Sequence, residues 1–240
     1  SSRMPFTNWQ DYQYSMTFAL SECPGVHHYR IYLVNLDENL RFDWFKLYSA
    51  SRQANWECES GWALRSLLNP EKQVKQSSAT WVKSSSVLDI TDKMKADGKL
   101  CWDAPHGNWT ILRIGHVNTQ CKNGPAPQEA TGWECDKFST EAADLQFNNY
   151  VGRLNKGPLN GLLSNMLLDS WECYSQTWTF PMPQEFQRVA GYPLTKWMPA
   201  LFGYVLDDPE TTSRFHMDWR MTLNDLYVNK FFGRMAEKAH

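Results

Sequence analysis

Two stretches of this chain hold carboxyl groups in settings that suit the breaking of sugar bonds. In Asn165-Met166-Leu167-Leu168-Asp169-Ser170-Trp171-Glu172, an apolar run ends in two acids and a tryptophan. Read as a strand, the run places Asn165 and Asp169 on one face, because side chains alternate, and leaves Glu172 in the loop just beyond. A carboxyl beside Trp171 is partly desolvated, which disfavours its charge and raises its pKa. Held protonated, Glu172 can donate to a glycosidic oxygen as the bond breaks, the general acid's task. Trp171 and Trp178 then become walls on which the C–H faces of a sugar can stack. A plainer alternative has Asp169 capping the next turn and Glu172 as a solvated loop acid.

The second stretch is Trp133-Glu134-Cys135-Asp136, where alternation puts both acids on one face and the apolar pair on the other. At the wet end of a barrel, Glu134 and Asp136 would meet sugar hydroxyls or a cation; elsewhere they would form an ordinary ion pair with Lys137 or Arg113. His116 and Asn118 close the segment 114–119 and can exchange hydrogen bonds with hydroxyls, although a structural histidine fits equally. The loop 121–131, with Asn-Gly, two prolines and Glu129, is the kind that carries function at a barrel mouth. Asn108-Trp109-Thr110 matches a glycosylation acceptor, a pattern common by chance. The chain holds no serine–histidine nucleophile motif, phosphate loop, EF-hand loop or HExxH helix, so acyl transfer, phosphoryl transfer and zinc hydrolysis lose their usual supports.

These groups need a scaffold, and 240 residues with 42% hydrophobic content can bury one. Residues 1–108 read as a β-rich module, with short β segments at 14–20, 29–34 and 81–90 and turns at 37–39 and at Asp97-Gly98. From 109 the texture changes to apolar strands at 109–117, 132–138 and 161–169 alternating with helices. Ser139 is a natural cap for a helix running to about 154, and helical segments are expected near 183–190 and 196–203. Asp208, Pro209 and Glu210 open a long helix with apolar positions at Phe215, Trp219, Leu223, Leu226, Phe231 and Met235. The predicted fold class is therefore a multidomain α+β and α/β chain, a β-rich N-terminal module followed by a partial (β/α)8 (TIM-type) barrel over 109–240. An open α/β sheet fits the alternation too, but no Gly-rich phosphate turn supports it.

Composition narrows the partners. A net charge of −2 and a pI near 6.3 offer no cationic excess for nucleic acid or an anionic membrane, and no apolar run nears the roughly 18 residues of a membrane span. Twelve tryptophans favour an aromatic core and leave some for sugar stacking. Six cysteines, at 23, 58, 101, 121, 135 and 173, show no CxxC pairing. The Ser-Ser-Arg start has no leader pattern and a helical pattern still runs at His240, so both ends read as cut.

The ordered set Gly107-Asn108-Trp109-Thr110-Ile111-Leu112-Arg113-Ile114-Gly115-His116, Gly124-Pro125-Ala126-Pro127, Gly132-Trp133-Glu134-Cys135-Asp136-Lys137, Asp169-Ser170-Trp171-Glu172 and Leu201-Phe202-Gly203-Tyr204 resembles glycoside hydrolase family 106, the bacterial α-L-rhamnosidase-like enzymes. The likeness covers most of the chain. It implies inverting hydrolysis of terminal α-L-rhamnosyl bonds on a rhamnose-containing oligo- or polysaccharide, with a glutamate acid, a glutamate base and a calcium ion near the substrate. Glu172 matches the acid. The resemblance puts the base beyond His240, so the isolated chain is expected to be inactive, since losing one partner of an acid–base pair costs about 10²–10⁴-fold. An open half-barrel would also be poorly soluble. The calcium ligands stay open between Glu134, Asp136 and residues elsewhere, and a periplasmic or extracellular location is implied. Two rivals stand beside this reading: a retaining, β-galactosidase-like barrel glycosidase, and a non-catalytic carbohydrate-binding module.

Overall fold

A computed structural model of the chain describes residues 17–18, 20, 24–25, 28–32, 44–62, 76–157, 159–168 and 175–240. Its longest rod begins where the cap chemistry predicted. Asp208 has extended backbone, and its carboxyl accepts from the Thr211 N–H at 2.7 Å and the Thr211 hydroxyl at 2.7 Å. Pro209 follows at the first helical position, where a missing N–H costs nothing. The earlier helices are α1 (Trp56–Glu59), α2 (Thr140–Asn149), α3 (Val151–Lys156) and α4 (Met182–Ala190), and the rod opens as α5 (Pro209–Leu226). It continues as a π turn (Tyr227–Phe232) into α6 (Gly233–Ala239).

The apolar positions predicted for this rod are all buried: Phe215, Trp219, Leu223, Leu226, Phe231 and Met235. Their spacing explains the π turn. From Leu226 to Phe231 is five residues, one more than an α-helical step allows, and the wider turn carries the stripe across that gap. A Cβ at Gly233 would lie 2.9 Å from the Val228 carbonyl oxygen, so the turn closes on a residue without one.

Around the stripe pack Met182 and Phe186 of α4, Leu194, Ala200, Leu201, Leu206 and Phe138. Trp197 stacks on Phe215 with ring centroids 5.8 Å apart and planes 18° apart. A smaller cluster of Ala143, Phe231 and Met235 joins α2 to α6, and there Arg234 grips Asp144 through two bonds of 2.7 and 2.8 Å. As predicted, Ser139 caps α2 through the Ala142 N–H, but that helix breaks at Tyr150 before α3. The segment expected near 196–203 is a 3₁₀ helix, Thr195–Phe202, containing Pro199, which cannot donate the bond that an α-helix needs there.

The predicted fold class is corrected here. Among the described residues there is no strand of a sheet, no barrel and no β-rich module, only the isolated bridges Arg52↔Tyr204, Val82↔Leu206, Met94↔Leu100 and Lys122↔Trp133. Residues 109–117 and 163–168 form no ladder, 161–162 lie in a turn, and much of the apolar surface faces outward, Val117 at 89% and Leu167 at 84% exposure. Within 132–138, Trp133 bridges Lys122 antiparallel instead of joining a parallel neighbour. Apolar alternation carries strand propensity, but a strand exists only where another segment supplies its hydrogen bonds. In 81–90 the serines turn the chain locally, Ser86 Oγ donating to the Lys83 carbonyl at 2.7 Å, which favours a 3₁₀ turn over a ladder. The Asp97-Gly98 turn does close a tight loop, with the Lys95 N–H donating to Lys99 at 2.9 Å. The turn at 37–39, most of the segment at 14–20 and the end of the segment at 29–34 lie outside the described residues, and the described residues 29–32 form no strand.

Residues before 108 that are described fasten onto the helical core. The Val82 N–H donates to Val205 at 2.9 Å, the Asp207 N–H to Val82 at 2.8 Å, and the Trp219 indole N–H to the Ser60 carbonyl at 3.0 Å. Trp56 presses on Gly203 so closely that a Cβ there would sit 2.6 Å from its ring.

Gly191 and Gly203 share nearly the same positive φ, 83° and 84°, yet Gly191 has open space around it. Gly191→Ala should therefore cost only the left-handed backbone penalty of about 1–2 kcal/mol, and Gly203→Ala clearly more; urea denaturation of both variants measures the difference. A second expectation concerns His216, whose Nδ1 meets the Thr212 carbonyl at 3.1 Å and Glu59 at 3.4 Å. Burial depresses the imidazole to about 4 and pushes Glu59 up. An unfolded chain protonates histidine near 6.5, so the neutral buried ring loses stability as pH falls from about 6.5 to about 4. Glu59 works the other way, losing stability as pH rises through its raised value. Unfolding midpoints across this window should fall for the native chain and fall less for His216→Gln.

Candidate functional site

The described part of the site is organised by the Asp136 carboxyl. It accepts from the Phe138 N–H at 2.9 Å, from the Thr179 hydroxyl at 2.7 Å and from the side-chain amide of Gln176. Gln176 is bound in return: its side-chain oxygen accepts from the Lys137 N–H at 3.1 Å, and its backbone carbonyl accepts from the Tyr227 hydroxyl at 3.2 Å. Ser175 donates to the Gly61 carbonyl. Residues 175–179 follow directly on the stretch that carries Asp169, Trp171 and Glu172, so that stretch ends on a moored segment. Asp169, Trp171 and Glu172 themselves lie outside the described residues.

Glu134 and Asp136, read as sharing one face, take separate partners. Glu134 pairs with the buried Lys137, one of the two cations named for it, and the Lys137 ammonium lies 5.4 Å from the Phe231 ring centre. Burial pushes the thiol of Cys135 up, which keeps it a poor nucleophile. His116 is exposed and lies nearly parallel to Trp178, with centroids 6.1 Å apart and planes 19° apart. Two residues far apart in sequence thus share one aromatic wall beside the moored segment. Asn118 turns inward on its own loop, its side-chain oxygen accepting from the Gln120 N–H at 2.6 Å, where Gln120 has φ 57°. Glu129 sits exposed in a 3₁₀ turn, and the loop around it is stapled by Asn123, which accepts from the Gly132 N–H at 2.6 Å and donates to Ala130 at 3.0 Å.

Gln176, Thr179 and Tyr227 carry this geometry without any motif that marks them. Their bonds span 40, 43 and 51 residues, and only the fold brings them together. Among the described residues no three histidine, cysteine, aspartate or glutamate side chains converge on a metal position. Glu134 is held by Lys137 and Asp136 by three donors, so they do not form the set of six to eight oxygens that a calcium ion requires. What the arrangement offers is a fixed segment at 175–179 and an aromatic face beside it.

A family model described as alpha-L-rhamnosidase, that of glycoside hydrolase family 106, matches residues 21–240. A putative beta-glucuronidase from Formosa agariphila is 35% identical over 180 residues, covering 74% of this chain and 15% of its own length. The solved structure of a rhamnosidase from Novosphingobium sp. PP1Y aligns with a TM-score of 0.65 at 34% identity, over 81% of this chain and 19% of that one. The chain thus spans less than a fifth of either relative.

The mooring has a measurable cost of removal. Asp136→Ala leaves the donors of Gln176, Thr179 and Phe138 without their acceptor, and an unsatisfied buried donor costs about 1–3 kcal/mol. Glu134→Gln removes the countercharge of the buried Lys137 ammonium, a loss that can reach about 3–5 kcal/mol. Urea denaturation should show a loss of stability in both variants, and hydrogen exchange should accelerate at 175–179 in the Asp136 variant alone.

Proposed function

The chain belongs to glycoside hydrolase family 106, and from that membership we propose that the protein hydrolyses terminal α-L-rhamnosyl linkages of an oligo- or polysaccharide, with Glu172 as the proton donor. The single observation that carries this reading is the family match over residues 21–240. The 34% identity to the Novosphingobium rhamnosidase supports it.

In this mechanism Glu172 protonates the glycosidic oxygen while the bond from that oxygen to the anomeric carbon breaks. A water, losing its proton to a second carboxylate, adds to the opposite face and inverts the centre; room for that water needs carboxyls about 6.5–9.5 Å apart. The base is the glutamate that the resemblance puts beyond His240. Asp136, Gln176 and Thr179 act through position: they hold residues 175–179, which begin three positions after Glu172 in the sequence, against Phe138 and Tyr227. His116 and Trp178 offer a surface for a sugar ring. Calcium, the ion that the resemblance implies, would supply charge stabilisation near the substrate, and no step is routed through it. Export to the periplasm or the cell exterior fits a polymeric substrate.

A β-glucuronide is the second substrate to try, because the Formosa relative is named for one. The test is release of p-nitrophenol from the α-L-rhamnoside and the β-D-glucuronide by the full-length protein, with calcium and with a chelator, beside Glu172→Gln. Rhamnoside turnover that falls about 10²–10⁴-fold in the variant is the expected result. Undiminished turnover in Glu172→Gln removes the acid assignment, and glucuronide turnover alone replaces the substrate.

A further inference from the structure

An open cleft of about 320 Å³ lies where the 44–56 region meets residues 111–114 and 202–204, within the size range of ligand pockets. Three of its lining residues are cations, Lys46, Arg52 and Arg113, and among the described residues no acidic one lines it. Among the described residues no carboxylate stands within ion-pairing distance of any of the three. The chain as a whole carries a formal charge of −2, so this concentration of positive charge is a local feature of the cleft.

The cations are mounted on aromatic rings. The Arg52 guanidinium lies 4.0 Å from the centre of Tyr204 and 4.7 Å from that of Tyr48, and the Lys46 ammonium lies 4.8 Å from Tyr48. The Arg52 backbone is fixed by its bridge to Tyr204 and by the Gln53 N–H donating to Gly203 at 3.0 Å. A guanidinium packed on rings keeps its donors in its own plane, the geometry that matches two oxygens of one anionic group. One of those donors, Nε, is buried without a hydrogen-bond partner among the described residues, and an orphaned donor on a charged group is costly to keep. An anion in the cleft would meet the Arg52 guanidinium and the Lys46 ammonium, which share the Tyr48 ring, and would neutralise the charge that the cleft concentrates.

We infer that this cleft is a subsite for an acidic sugar residue, one whose carboxylate or sulfate group is held by Arg52 with Lys46 and Arg113. That the anion is borne on a sugar rests on the glycoside hydrolase reading; the charge and the orphaned donor do not.

Calorimetric titration of the full-length protein tests the site by binding, independently of turnover. Its ligands are trigalacturonate, the fully methyl-esterified trigalacturonate and a sulfated galactose disaccharide. The expected result is binding of the uronate or the sulfated sugar that weakens as salt is raised, with the neutral ester at least about tenfold weaker. The tighter of the two anionic sugars identifies the anion. Arg52→Gln should weaken that binding about tenfold, the scale of one lost charge-assisted hydrogen bond. Lys46→Gln and Arg113→Gln, both at exposed positions, give the same readout if the Arg52 variant fails to fold. Equal binding of acid and ester, no binding of either anionic sugar, or affinity unchanged in the folded variants overturns the inference. Acidic-sugar binding without rhamnoside turnover would leave this site standing and remove the proposed reaction.

Discussion

The apolar stripe of the rod running from α5 through α6 sets the terms for its neighbours. Phe215, Trp219, Leu223 and Leu226 need cover on several sides, and each large side chain removed from water stabilises by about 1.5–3 kcal/mol. That cover is drawn from far along the sequence: Phe186 from α4, Leu201 from the 3₁₀ helix, Phe138 from before α2, and Val82 and Val87 from nearer the amino terminus. Polar contacts follow the same logic. The Trp219 indole would be stranded inside the core without the Ser60 carbonyl, so the burial of one ring also fixes the turn after α1.

The candidate site meets this rod at Tyr227 and at Phe231, whose ring lies under the Lys137 ammonium. Tyr227, at the junction of α5 and the π turn, packs edge-on against Phe138 with centroids 4.6 Å apart and reaches the Gln176 carbonyl. Asp136 completes the bracket from the other side. A general acid must be held near its substrate oxygen to within a fraction of an ångström, and loops do this poorly unless their ends are tied. Here the tie, at residues 175–179, is a carboxyl group acting through position.

How much of this is legible before folding depends on how local each interaction is. Ser139 and Asp208 are recognisable caps because their partners lie three residues on, and the pairing of Glu134 with Lys137 spans the same distance. The six buried positions of the rod follow from helical spacing, and even the five-residue step at 226–231 was visible, although its meaning as a π turn was not. The strands failed for a physical reason. Segments 109–117 and 161–168 have the residues of strands, but pairing belongs to two segments at once, and no periodicity in one names the other. Gln176 and Thr179 were illegible on the same ground, since their partner is about forty residues away. The cationic cleft was missed because Lys46, Arg52 and Arg113 are scattered along the chain and only their meeting is informative.

The claim that Glu172 donates the proton is tested most directly by varying how much the leaving group needs one. For Glu172→Gln, hydrolysis of 2,4-dinitrophenyl α-L-rhamnoside, whose leaving group departs unaided, should stay close to the native rate, while hydrolysis of an alkyl α-L-rhamnoside should fall about 10²–10⁴-fold. An equal loss on both substrates would contradict the claim and make Glu172 a residue that binds or positions instead.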